Sequence, residues 1–166
     1  MSYGLPMGTT VTDPLGAVRQ SLDGFLEETG GRMGMLMDGS GAVILQSGGD
    51  ENVDQSAFAC LTASHLGATR ALASLVGEDE FRGLCHQGEH TSIFVADVAG
   101  RVILSILFEG RRPVGQVSRE GKRIVSSLEG PVLRLLESNE TIGGPLDSTW
   151  VAAARDEIDR VFREGV

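Results

Sequence analysis

Residues 102–108 read Val-Ile-Leu-Ser-Ile-Leu-Phe, an apolar run in which large side chains do not alternate with polar ones. Successive side chains on a strand point to opposite faces, so such a strand is buried on both. It therefore belongs in the middle of a sheet, with helices above and below. The chain has 166 residues, enough for one domain with a real core plus some tail.

The segments around that strand supply the helices. Residues 1–11 read as a flexible leader. Asp13 followed by Pro14 is a helix start, and Leu15, Val18, Leu22, Phe25 and Leu26 keep helical period until Gly30-Gly31 stops it. Met33–Met37 and Ala42–Ser47 flank the turn Asp38-Gly39-Ser40-Gly41 and form a hairpin. A second helix runs from Asp54 to Gly77. Arg82–Gly88 and Thr91–Val98 are close enough to pair antiparallel, and Ala99-Gly100 turns into the central strand. Val117, Ile124, Val125 and Leu128 mark a third helix, which Gly130-Pro131 is expected to kink or restart before Leu133–Leu136. The domain thus covers 12–138, in the order α-β-β-α-β-β-β-α. Residues 139–149 read as a linker, and 150–164 as a tethered partner-binding helix with Trp150, Ala154, Ile158, Val161 and Phe162 on one face. That helix is about as short as helices that are marginal alone, ~12–15 residues, which suits docking into a groove.

The second helix lacks a polar side. Phe58, Leu61, Ala68, Leu72 and Val76 share one face, expected to bury against the sheet. The other face carries Ser56, Ala59, Ala63, Gly67, Arg70 and Ser74, a ridge of small side chains. Small residues let another backbone come close, so this ridge is expected to meet a second protein or a second copy of the chain. On that reading, arginine at position 63 or 67 blocks docking and leaves the fold intact.

Charge and cysteine content narrow the partners. A net charge of −9 argues against nucleic acid or an anionic membrane surface. No run of 18 apolar residues is present to span a membrane, and residues 1–11 lack the marks of a secretory signal. Two cysteines make no disulfide framework, and the cytosol is the expected compartment.

Several catalytic patterns lack the geometry they need. His86-Gln87-Gly88-Glu89-His90 matches H-x-x-E-H, which binds zinc only with both histidines one turn apart on a helix. Here the flanks read as a hairpin; a zinc hydrolase through His86, Glu89 and His90 remains the enzymatic alternative. Gly115–Lys122 has one residue too many for a phosphate loop, and arginine follows its lysine. His65 is expected towards the buried side of its helix near Leu61 and Leu72, as a structural histidine. Cys60 and Cys85 read as small packing residues, with Cys85 and His86 on opposite faces of a strand. Arg111-Arg112 is either an arginine finger or a solvated basic turn. No metal or other cofactor is expected.

The ordered set of Leu61–Phe81, His86–Glu89, the 102–108 strand, Val114–Val117 and Asp156–Phe162 resembles the roadblock/dynein-light-chain family, within it the bacterial MglB-type members. The resemblance implies an α+β fold: a five-stranded antiparallel sheet with the second helix on one face and the first and third on the other. It also implies a homodimer that joins sheet edges and lays the second helices side by side. Such a dimer binds a GTP-loaded Ras-like small GTPase of the MglA type and stimulates hydrolysis, regulating cell polarity or gliding motility. The GTPase supplies its own catalytic arginine. Ala63 and Gly67 match small positions facing the GTPase, and Ile158 and Phe162 match anchors of the tail helix. The alternative is a roadblock scaffold that holds a GTPase or signalling protein without changing hydrolysis.

Overall fold

The computed structural model describes residues 13–81 and 83–138. The elements are α1 (Pro14–Thr29), β1 (Gly31–Met37), β2 (Val43–Gly48), α2 (Gln55–Leu75), β3 (Leu84–Gln87), β4 (Thr91–Val98), β5 (Val102–Glu109) and α3 (Val114–Ser138). The strands form one antiparallel sheet in the order β2-β1-β5-β4-β3. β5 is the central strand, as its unbroken apolar run demands, and every residue from Val102 to Phe108 is buried.

The two sheet faces carry separate cores. Leu36, Phe94, Ala96, Leu104, Ile106 and Phe108 pack against Val18, Leu22 and Phe25 of α1 and Val117, Ile124 and Leu128 of α3. Met33, Met35, Met37, Val95, Ile103 and Leu107 form the floor under α2. The pleat sorts alternate residues of β1, β4 and β5 into these two sets.

Local chemistry sets the helix boundaries. The Asp13 side chain accepts from the Leu15 N–H and Pro14 opens α1, while Gly30 closes it. Glycines permit close packing between elements. At Gly34 of β1 a Cβ would lie 2.7 Å from the Leu22 side chain, and at Gly121 of α3 one would lie 2.5 Å from the Phe94 ring.

In place of the kink or restart expected at Gly130-Pro131, α3 runs uninterrupted through Pro131. Proline removes the hydrogen bond to the Ser127 carbonyl, but Ser127 is exposed and water can satisfy that group. Val132, Leu135 and Leu136 stay buried beyond the proline, so packing holds the helix together. The leader, the linker and the tail helix expected over 150–164 lie outside the described residues.

Candidate functional site

α2 begins at Asp54, whose carboxylate accepts the Ala57 N–H at 3.0 Å, and ends in a turn where the Glu78 N–H donates to the Ala73 carbonyl. Its buried side is Ala59, Thr62, Ala63, Leu66, Gly67 and Ala73. This corrects the expected orientation: the small ridge faces the sheet. Ala59 is 0% and Ala63 2% exposed, both packed over the Met33, Met35 and Met37 floor. Small side chains do admit a close backbone here, but the neighbour is the chain's own sheet. Long methionines fill the space from below, leaving room for only one large knob from the helix, Leu66.

The large apolar residues of α2 point out. Leu61 is 70% and Leu75 84% exposed, and Leu72 and Val76 are also exposed. Phe58 alone of the face expected to bury is partly covered, against the methionine side of the core. Leu61, His65, Ala68 and Leu72 fall at helical spacing on one outward stripe, and all four are exposed. An apolar stripe of this kind in water marks an interaction surface.

The remaining predicted contact residues divide. Arg70 is ion-paired with Asp97 at the end of β4, and Asp97 also accepts the Gly100 N–H at 2.6 Å. Burial pulls the Arg70 pKa down while Glu80 draws it back up. Arg70 therefore ties α2 to the β4–β5 turn. Ser74 is exposed beside Leu75. Ile158 and Phe162 lie outside the described residues.

The catalytic patterns do not assemble. His86 is on β3 opposite Ile93, and His90 lies in the connection to β4, so the spacing needed on a helix is gone. His86 instead meets His65, with Nε2 to Nε2 at 3.1 Å. His65 is exposed and not turned to the core, contrary to expectation; no periodicity or motif relates two histidines 21 positions apart. Cys85 packs partly into the core beneath α1 and α3, and burial pushes its thiol up, away from nucleophilic use. Cys60 is exposed, so it is not the packing residue expected. Gly115–Lys122 is helical within α3 and forms no phosphate-binding loop.

Arg112 is fully engaged inside the fold. It donates to the Thr29 carbonyl at 2.8 Å, with a longer contact to Gly30 at 3.4 Å, and its guanidinium sits 5.0 Å from the Phe108 ring centroid. Glu120 lies 3.7 Å away, and the Gln87 side chain donates to the Arg112 carbonyl. This arginine closes the C-terminal end of α1 and is unsuited to reaching into a partner.

Comparison with known proteins agrees with this architecture. The Roadblock/LC7 domain model matches residues 18–108. The gliding protein MglB of Thermus thermophilus is 29% identical, covering 79% of this chain and 93% of its own, with a TM-score of 0.65. Myxococcus xanthus MglB is 29% identical over 73% of this chain and 95% of its own, with a TM-score of 0.63. A structure described as MglB with a tetrameric arrangement is 30% identical over 79% and 93%, with a TM-score of 0.65. None of the curated proteins compared with the chain matches it. With a five-stranded sheet in the observed order and a family match over more than half its length, the chain belongs to the Roadblock/LC7 domain family.

Proposed function

We propose that the chain is a cytoplasmic, homodimeric, MglB-like activator of a Ras-like small GTPase of the MglA type. It binds the GTP-loaded form and stimulates hydrolysis, and so regulates polarity or gliding motility. The observation that carries this reading is the outward apolar stripe of α2, Leu61, Leu72, Leu75 and Val76, together with the MglB likeness. Two copies laid side by side at α2, with sheet edges joined, present those stripes as one platform. The platform holds the switch regions of the GTPase in place. Phosphoryl transfer depends heavily on positioning and charge, so such a contact accelerates it without supplying a reacting group. The engagement of Arg112 within its own fold supports a partner that brings its own arginine.

The test is phosphate release by a GTP-loaded Ras-like GTPase of the MglA type, with and without the protein. Stimulation by wild type that is lost in Leu61→Arg and Leu72→Glu supports the reading. Binding with unchanged turnover converts it to the scaffold alternative, and neither binding nor acceleration sinks it.

A further inference from the structure

His65 projects from the outward stripe of α2 and His86 from the exposed edge strand β3. Their rings are T-shaped, with centroids 4.7 Å apart and an interplanar angle of 67°. The facing atoms are both Nε2, 3.1 Å apart. Two imidazole nitrogens at that separation can share one proton, or they can share one ion. Zinc–nitrogen bonds of about 2.0–2.1 Å drawn from both would subtend roughly 100° at the metal, near the angles of tetrahedral and octahedral sites. Both side chains are exposed in the single chain and lie outside the two cores, so each ring is free to turn its lone pair towards one point.

We propose that His65 and His86 form a two-histidine chelate for a borderline divalent transition-metal ion, Zn2+ or Ni2+, which clips α2 to the edge of the sheet. Metal binding requires neutral imidazole. Imidazole is a good ligand for both ions. Among the described residues no group of three or more histidine, cysteine or acidic side chains could hold a metal. The chain therefore supplies two ligands and leaves the other positions to water or to a second copy. Aspartate and glutamate ligands are not part of the pair, so calcium and magnesium, which take oxygen, are not bound there. The chelate stands on the histidine pair and does not depend on any GTPase.

The experiment uses the untagged full chain, titrated with NiCl2 and ZnCl2 by calorimetry and followed by thermal melting. Wild type is expected to bind either ion saturably and to melt higher with metal, a gain reversed by EDTA. His65→Ala and His86→Ala, both at exposed positions, are each expected to weaken binding tenfold or more and to abolish the metal-dependent rise. His90→Ala, in the adjoining turn, is expected to bind as wild type does. One ion per chain and one ion shared between two chains both meet the proposal, and the calorimetric stoichiometry tells them apart. No saturable binding by wild type, or binding that survives loss of either His65 or His86, overturns it.

Discussion

Arg112 and Gly121 show how much of this fold depends on contacts between single side chains. Arg112 joins the end of α1, the ring of Phe108 and Glu120 of α3. Arg112→Ala strips the Thr29 carbonyl of its donor and is expected to cost about 1–3 kcal/mol in urea denaturation. The GTPase response of the folded protein is expected to be unchanged, because the guanidinium does not reach the α2 face. At Gly121 an added Cβ would lie 2.5 Å from the Phe94 ring. Gly121→Val is expected to destabilise by about 1–3 kcal/mol through overpacking. Truncating Phe94 to leucine in the same chain should recover part of that loss, a non-additivity that a double-mutant cycle measures. The helix cap at Asp13 was legible in the sequence because a cap bonds a neighbour two positions away. The Arg112 contacts and the His65–His86 pair were not, because their partners are distant in sequence and only the completed sheet brings them together.

Among the elements, α2 carries the main correction. Both of its faces are apolar, so periodicity identifies a helix but cannot choose which side goes inward. Side-chain volume decides: β1 already offers three methionines, and alanines fit above them beside Leu66 where a whole face of leucines would not. Ala63→Arg therefore breaks the fold instead of sparing it, at a cost on the order of 3 kcal/mol or more. Leu72→Arg, on the exposed stripe, is expected to leave urea stability within about 0.5 kcal/mol of wild type. Parallel denaturation curves of the two variants check the orientation directly. β4 and β5, by contrast, were readable nearly to the residue, because tight turns bound them and β5 is apolar without alternation. Between α2 and β3, His65 gives stability a pH dependence. Its folded pKa lies below the ordinary 6.5, so the unfolded chain binds the proton more readily. Its contribution is then complete above pH 6.5 and falls as pH drops through the window beneath it. Melting curves from about pH 8 to about pH 5 should show a steeper acid-side loss for wild type than for His65→Asn.

For the whole molecule, assembly is where function is expected to arise. A stable protein interface buries about 1,200–2,000 Å² in total, and the proposed dimer is expected to reach that by joining a sheet edge as well as α2. Sedimentation of wild type is expected to give twice the chain mass. No helix among the described residues is long and apolar enough to cross a membrane. The strand order has a further consequence for biosynthesis. β1 pairs with β5, Gly31 opposite Phe108, so the two hairpins stay unjoined until the middle strand has been translated. Nascent chains stopped before position 102 should therefore remain open to protease, and those extended past α3 should become resistant, because the seam of the sheet cannot close before β5 is made.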